Sequence, residues 1–270
     1  MSRLPALLLA ASIPVVALVV LMMSMQTDLL FPTGAVPPAG ALPPGAERLE
    51  VQTPDGDTLH GVHMPPAMAA EGTRTLILGF GGNAWNGQDV ASYLHQVFPE
   101  ADVVAFHYRG YRPSTGRPSA EALIKDAPLV LNQAIARVKP GRTVAVGLSI
   151  GSGVAASLAG RDELHGLILV TPFDSLKAVA SQLYPWLPVG PFFQHEIATA
   201  EFLDSVETPV AIIAADQDEI IPASRTDALR VRTPNLVFDR TIAGTGHNDI
   251  YGREDFKAAL REALEGVAGK

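Results

Sequence analysis

One short stretch, TVAVGLSIGSG at 143–153, constrains the fold of this chain more than any other. A β-branched, strand-like run leads into Ser149, and small residues compatible with a helix follow it. A serine at such a sharp strand-to-helix turn has a strained backbone, and Gly147 and Gly151 leave room for the chain to pass. The turn lifts the Ser149 hydroxyl out of the sheet and directs main-chain N–H groups toward a developing oxyanion. The pattern predicts a serine nucleophile and acyl transfer.

Two loops downstream offer the base and the acid that a serine nucleophile needs. A strand-like run ends in DQDEIIP at 216–222, and the next one ends in a glycine-flanked loop that carries His247. The order serine, acid, histidine is the one that this strand–turn–helix architecture uses. Asp218 is favoured over Asp216 as the acid because the D-x-I-I-P pattern turns directly into the next helix. Asp216 is then expected to be a loop carboxylate or a helix cap.

The loop after the third strand-like run is the candidate for the second half of an oxyanion hole. It reads GGNAWN at 81–86, and its glycines would let the backbone approach a substrate closely. We expect the main-chain N–H groups of Ile150 and Asn83 to hold the oxyanion. An ordinary glycine turn is the alternative interpretation of this loop.

Strand-like and helix-like segments alternate from residue 47 onward. A Pro-Asp-Gly turn near residue 55 joins the first two strands and indicates an antiparallel hairpin. The later strands are short continuous apolar runs, typical of a parallel sheet with both faces covered. We predict an α/β fold with an eight-stranded, mostly parallel sheet covered by helices on both faces. The strands are predicted at 48–52, 59–64, 75–80, 103–108, 143–148, 167–170, 210–215 and 236–241, and the helices at 88–98, 119–138, 150–160, 175–183, 223–232 and 253–267.

The composition excludes several classes of function. Among the 270 residues there is no cysteine, so thiol nucleophiles, disulfides and thiolate metal sites are excluded. The formal net charge is −8, and lysines and arginines are scattered, so a nucleic-acid partner is disfavoured. The predicted chemistry needs no metal and no organic cofactor.

The first residues form an uncharged apolar segment at 4–25, long enough to span a bilayer as a helix. We predict a transmembrane anchor over 1–27, with the N-terminus cytoplasmic and the catalytic domain outside because Arg3 precedes the apolar run. A cleaved signal peptide and a buried core helix are the alternatives. Residues 28–46 are rich in proline and glycine and predict a semi-extended linker to a single catalytic domain at 47–270.

An irregular apolar insertion between residues 173 and 205 is the candidate for a short lid. Its aromatic side chains would cover the serine, bind an acyl chain and exclude water. Core packing, or a face that touches a membrane, is the alternative. The predicted substrate-binding residues are Tyr184, Trp186, Phe192 and Phe193.

Four segments together resemble the α/β-hydrolase superfamily over nearly all of 47–267. GGNAWN at 81–86 is similar to the HGNAGN oxyanion loop of membrane-anchored α/β-hydrolase-domain serine hydrolases, and YRGYRPSTGRPS at 108–119 is similar to their YRGYGxSxGxPS stretch. PFDSLKAVASQLYPWLPV at 172–189 and GHND at 246–249 also match. Relatives of this kind include esterases and protein depalmitoylases.

The resemblance implies that Ser149 is the nucleophile, Asp218 the acid and His247 the base. In two places the chain departs from the family pattern, because Gly81 stands where histidine is usual and Arg112 where glycine is usual. The loss of that histidine removes a side chain that braces the oxyanion loop.

The expected function is hydrolysis of carboxylic esters or thioesters through an acyl-enzyme, with a small or lipid-like acyl substrate. A peptidase or amidase with the same three residues is an alternative, since the fold does not fix the leaving group. A non-catalytic binding protein on the same fold is a third possibility.

Overall fold

The computed structural model describes residues 20–21, 24–68, 72–186 and 189–269. Eight strands form one sheet in the order β1-β2-β4-β3-β5-β6-β7-β8. β1 and β2 form an antiparallel hairpin, β2 also pairs antiparallel with β4, and the other neighbours are parallel. The predicted eight-stranded, mostly parallel sheet is therefore confirmed. The strands are β1 (Glu47–Gln52), β2 (Thr58–Met64), β3 (Thr75–Phe80), β4 (Asp102–Phe106), β5 (Arg142–Leu148), β6 (Gly166–Val170), β7 (Val210–Ala215) and β8 (Leu236–Ile242).

Helices cover both faces of the sheet, which explains why the central strands are apolar along their whole length. β4, β6 and β7 are buried at every residue. Burial on both faces removes the alternation of polar and apolar residues that a half-exposed strand shows. The helices are α1 (Gly87–Val97), α2 (Ala120–Val138), α3 (Ile150–Ala156), α4 (Leu176–Leu183), α5 (Val189–Phe192), α6 (Thr199–Leu203), α7 (Ala223–Val231) and α8 (Glu254–Ala268).

Two apolar cores lie on opposite faces of the sheet. Helices α1 and α8 pack on one face, with Leu94 and Leu260 among the fully buried side chains. Helices α2, α3 and α6 pack on the other, where Leu131 and Leu203 are fully buried. Because β5 is central and buried on both sides, the turn that follows it at Ser149 has a rigid base.

The residues just before the sheet lie against the body of the fold, which we define as residues 47–269. Residues 24–30 are helical, and Phe31, which follows them, is only 1% exposed within the core on the α2 side. The Asn86 side chain donates a hydrogen bond to the Pro37 carbonyl (3.2 Å), and the Gln88 amide donates to the carbonyls of Gly40 and Ala41. The stretch predicted as a linker is thus fastened along the body.

The predicted membrane localisation requires correction. Across the described ranges, no helix combines the length and the hydropathy that crossing a bilayer requires. The described helix at 24–30 is short and carries Gln26 and Thr27 from the predicted anchor and Asp28 from the predicted linker. The assignment as a single-pass membrane protein, with a cytoplasmic N-terminus and an outer catalytic domain, is therefore not supported. Residues 1–19 and 22–23 of the predicted anchor lie outside the described residues.

Candidate active site

Ser149 occupies a strained turn between β5 and α3. Its φ and ψ are 54° and −120°, a conformation that side-chain-bearing residues rarely adopt. Its main-chain N–H donates to the Val170 carbonyl (2.9 Å), which fixes the turn to β6. A Cβ on Gly147 would overlap the Gly151 carbonyl, and one on Gly151 would overlap the Phe80 carbonyl. Both glycines are therefore required by close backbone approach.

The structure brings the three residues proposed from sequence order into one line of contacts. The Ser149 hydroxyl oxygen lies 2.8 Å from His247 Nε2. On the other side of the ring, His247 Nδ1 lies 2.8 Å from Asp218 Oδ2. The imidazole is only 4% exposed, so its orientation is set by these two partners. Such a ring can accept the serine proton at Nε2 while the carboxylate holds the Nδ1 proton.

The two acidic candidates occupy different places in the loop after β7. One oxygen of Asp218 accepts the main-chain N–H groups of Ile220 (2.9 Å) and Ile221 (2.6 Å), which orient the carboxylate toward the imidazole. Asp216 is exposed and accepts the Thr245 N–H (3.1 Å). Hydrogen bonds from main-chain N–H groups, that of Gly244 foremost, lower the pKa of Asp216. Asp216 therefore ties the two loops together without contacting His247.

One acidic residue that contacts the backbone of the histidine loop was missed from the sequence. Glu219 Oε2 accepts the main-chain N–H of His247 (3.0 Å), so it fixes the backbone of the histidine loop. The same oxygen would clash, at 2.6 Å, with a Cβ on Gly246. The only local signal was its position beside Asp218, which does not distinguish it from a solvent-exposed loop carboxylate.

Two main-chain N–H groups near Ser149 are free to bind an oxyanion. In the described part of the chain, neither Ile150 N nor Asn83 N donates to a protein acceptor. Ile150 begins α3 directly after the serine. The glycine loop passes beside the nucleophile, since a Cβ on Gly82 would lie 3.7 Å from the Ser149 Cβ. The two predicted oxyanion donors therefore belong to the two segments that border the serine.

The four aromatic residues of the predicted lid lie away from these contacts. Trp186, Tyr184 and Phe192 are 65%, 47% and 41% exposed, and Phe193 packs partly buried against the core. The rings of Tyr184 and Trp186 meet edge to face at 6.4 Å. None of the ring contacts or hydrogen bonds found in the described ranges joins any of the four to Ser149 or His247.

The N-terminal helix holds the segment that follows α5, a contact with no signal in the sequence. The Gln26 side chain donates to the Phe192 carbonyl and accepts the Gln194 N–H, both at 3.0 Å. Thr27 Oγ1 lies 2.8 Å from His195 Nε2, and the Phe31 ring meets the His195 ring edge-on at 5.3 Å. Burial lowers the pKa of His195, which favours its neutral form.

In the described ranges, no group of three or more acidic or histidine side chains is arranged to hold a metal ion.

The class of the α/β hydrolases is defined by a mostly parallel eight-stranded sheet, a strained serine after its central strand, and a histidine and an aspartate on later loops. No family model matches the chain. Rv2307c of Mycobacterium tuberculosis is 33% identical over 88% of this chain and 89% of its own length. Alpha/beta hydrolase domain-containing protein 17C of Xenopus tropicalis is 31% identical over 66% of this chain and 58% of its own.

A solved structure shares the fold. The Pyrococcus furiosus esterase Pf2001 superposes with a TM-score of 0.68 at 17% identity, over 87% of this chain and 97% of that one. The protein described here has the fold of the α/β hydrolases, and its curated relatives include alpha/beta hydrolase domain-containing proteins.

Proposed function

We propose that this protein is a serine hydrolase that cleaves carboxylic esters or thioesters through an acyl-enzyme on Ser149. The observation that carries the proposal is the unbroken line of contacts from Ser149 Oγ to His247 Nε2 and from His247 Nδ1 to Asp218, each at 2.8 Å. A serine hydroxyl becomes a nucleophile when an oriented base takes its proton. The strained backbone of Ser149 supports the same role, since backbone strain is often concentrated at residues that take part in a reaction.

In acylation, Ser149 Oγ attacks the substrate carbonyl carbon while its proton passes to His247 Nε2. The carbonyl π electrons move to oxygen, and that oxyanion is stabilised by the N–H groups of Ile150 and Asn83. The C–O or C–S bond to the leaving group then breaks, and the imidazolium returns its proton to the departing oxygen or sulfur. Asp218 stays ionised and stabilises the imidazolium through Nδ1–H.

In deacylation, water takes the place of the leaving group, and the same residues, Ser149, His247 and Asp218, take part. His247 Nε2 takes a proton from water as its oxygen attacks the acyl carbon. Collapse of the second tetrahedral intermediate breaks the bond to Ser149 Oγ, which recovers its proton from the imidazolium. The products are a carboxylic acid and the regenerated serine, so water is the sole co-reactant.

The acyl side of the substrate is assigned to the aromatic cluster Tyr184, Trp186, Phe192 and Phe193. Large aromatic side chains that stay exposed are suited to an apolar ligand. The name of the Pyrococcus neighbour supports an ester as the substrate, because that protein is called an esterase. The proposed substrates are small or lipid-like acyl esters and thioesters.

The experiment that tests this function is hydrolysis of a p-nitrophenyl ester series, from acetyl to palmitoyl, by the full chain. Ser149→Ala is the matched control, and a fluorophosphonate probe reports whether Ser149 reacts. We expect ester hydrolysis that disappears in Ser149→Ala, together with labelling at Ser149. A full-length protein that cleaves no ester and takes no label would overturn the proposal. Amide hydrolysis exceeding ester hydrolysis would replace esters with amides as the substrate class.

A separate variant tests the acyl subsite. Trp186→Ala removes the most exposed ring of the cluster and leaves the triad contacts intact. We expect the preferred acyl chain to shorten, with the acetyl ester hydrolysed at the wild-type rate. An unchanged chain-length profile would remove the aromatic cluster from the substrate site.

A further inference from the structure

The oxyanion loop of this chain begins with two consecutive glycines, so its own sequence does little to fix its backbone conformation. Gly81 and Gly82 carry no side chain that could fix the backbone, and glycine is the most conformationally free residue. An oxyanion donor is effective only when its N–H is oriented before the reaction. Something outside the loop must therefore supply the rigidity that its own sequence lacks.

Three consecutive carbonyls of the loop are held by hydrogen bonds. The Gly81 carbonyl accepts the Tyr108 hydroxyl (2.8 Å), and the Asn83 carbonyl accepts the Tyr111 hydroxyl (2.8 Å). Between them, the Gly82 carbonyl accepts the Trp85 N–H (3.3 Å). The Gly82 carbonyl and the Asn83 N–H belong to the same peptide plane, so the hydrogen bond to the Gly82 carbonyl fixes the plane of the donor itself. The bonds to the Gly81 and Asn83 carbonyls fix the peptide planes before and after it.

The two tyrosines are themselves rigidly placed. Tyr111 is fully buried, and its ring meets the Tyr108 ring edge-on at 5.8 Å. The Tyr111 N–H donates to the Tyr108 carbonyl (2.9 Å) across a turn in which Gly110 has a φ of +80°. Burial raises the pKa of both phenols, so both hydroxyls keep the proton that they donate.

The residue between them holds this turn to the rest of the fold. Arg109 is buried and makes a two-pronged contact with Asp126 on α2, at 3.1 Å from Nε and 2.6 Å from Nη2. Its remaining nitrogen, Nη1, bonds Asp55 (2.8 Å) and Asp57 (3.1 Å) in the β1–β2 turn. A bidentate arginine–carboxylate pair restricts the backbone that carries it. The tyrosines therefore project from a fixed segment.

We propose that Tyr108 and Tyr111 are positioning residues for the oxyanion hole: their hydroxyls lock the Gly81 and Asn83 carbonyls and so aim the Asn83 N–H at the reacting carbonyl oxygen. This inference rests on the proposed hydrolase function and adds two residues that act through the loop. It also explains how the chain tolerates glycine at position 81, where the resembling hydrolases have histidine. The hydrogen bonds that hold the oxyanion loop come from Tyr108 and Tyr111, in the loop after β4.

The test compares Tyr108→Phe and Tyr111→Phe with the wild-type full chain. Each change removes one hydroxyl and keeps the ring, so packing is retained. Thr233→Val is the matched control: it removes a buried hydroxyl that donates to the Leu229 carbonyl (2.8 Å), just before β8 and at the opposite edge of the sheet. The readouts are kcat and KM for a p-nitrophenyl ester, and Ki for a trifluoromethyl ketone.

The ketone isolates the oxyanion hole. Ser149 Oγ adds to its carbonyl carbon, the serine proton passes to His247, and the resulting hemiketal oxyanion occupies the site of the tetrahedral intermediate. Removing an oxyanion donor outright lowers kcat on the order of 10²–10³-fold. A donor that is present but misaligned costs less, so we expect about tenfold lower kcat and about tenfold higher Ki for each variant, with KM within about twofold.

The control separates positioning from general stability. Thr233→Val is expected to lower the melting temperature as much as either tyrosine change while kcat and Ki stay at wild-type values. Wild-type kcat and Ki in both tyrosine variants would overturn the inference, as would a KM increase with kcat unchanged. If one variant fails to fold, the other decides. A wild-type chain without ester hydrolysis or fluorophosphonate labelling would instead refute the hydrolase function itself.

Discussion

Asp218 faces His247 with both carboxylate oxygens, Oδ2 at 2.8 Å and Oδ1 at 3.0 Å from the ring Nδ1. Oδ1 also accepts two main-chain N–H groups from its own turn, so the carboxylate is fixed independently of the imidazole. An acid held in this way fixes the imidazole tautomer with the proton on Nδ1 and leaves Nε2 free to accept from Ser149.

Asp218→Asn tests this relationship directly. The amide cannot stabilise an imidazolium, and its NH₂ favours the tautomer with the proton on the wrong nitrogen. We expect kcat for ester hydrolysis to fall about 10⁴-fold, as in known serine–histidine–aspartate enzymes. Asp216→Asn is the control, because its side-chain oxygen still accepts the Thr245 N–H and makes no contact with the ring. Comparable losses in both variants would contradict the assignment of the acid.

Glu219 is expected to position the histidine loop. Glu219→Ala removes the acceptor of the His247 N–H, and we expect kcat to fall by about three- to tenfold, the effect of one part-buried hydrogen bond on the order of 1 kcal/mol. Glu219→Gln keeps an oxygen acceptor and should restore most of the rate. Steady-state kinetics of both variants measure the effect, and equal activity of the alanine variant and the wild type would refute it.

Phe31 is expected to stabilise the fold although it lies outside the predicted catalytic domain. Phe31 is 1% exposed. The Phe31→Ala variant, which truncates this buried ring, should therefore lose about 3 kcal/mol or more in the free energy of unfolding. Leu29→Ala is the control, since Leu29 is 61% exposed and should change stability by less than about 0.5 kcal/mol. Urea denaturation of both variants checks the difference, and equal midpoints would show that residues 24–31 do not dock in solution.

His107 is expected to make the fold sensitive to mild acid. Burial, with the neighbouring His60 and Arg48 charges, lowers its pKa to about 4, and its Nδ1 accepts the Gly87 N–H (3.2 Å). The unfolded chain binds this proton below about pH 6.5. Its contribution to stability is therefore complete above pH 6.5 and is lost as the pH falls toward 4, by about 2 kcal/mol at pH 5.

His107→Asn tests that pH dependence. The asparagine oxygen can accept the Gly87 N–H in place of Nδ1, and it does not titrate. We expect the variant to lose less stability than the wild type between pH 7 and pH 5, measured as the free energy of unfolding in urea. Identical losses in the two proteins would show that His107 is not the group responsible.

The strands and the triad candidates could be predicted because their signals are local. Continuous apolar runs indicate strands that are buried on both faces, and parallel strands bring their carboxyl ends to one edge. The chain order of Ser149, Asp218 and His247 along that edge was therefore informative before any coordinates. Even the preference for Asp218 over Asp216 rested on a five-residue pattern.

The remaining contacts could not be predicted because they depend on partners far apart in the sequence. The tyrosine hydroxyls reach carbonyls 27 and 28 residues away, and nothing in either segment marks that pairing. Proline and glycine predicted a semi-extended linker at 28–46, but nothing in that composition marks its contacts with Asn86 and Gln88. Such residues do not favour helix or sheet, yet they still pack well as extended chain against an apolar surface.

The contact between Thr27 and His195 spans 168 residues of sequence and has a consequence for how the chain matures. During synthesis, Thr27 leaves the ribosome long before its partner has been made, so its docking is a late closure of a very long loop. Until then the Phe31 ring lacks its edge-on partner, the His195 ring. The helix that is translated before the sheet is thus among the last elements to reach its native position.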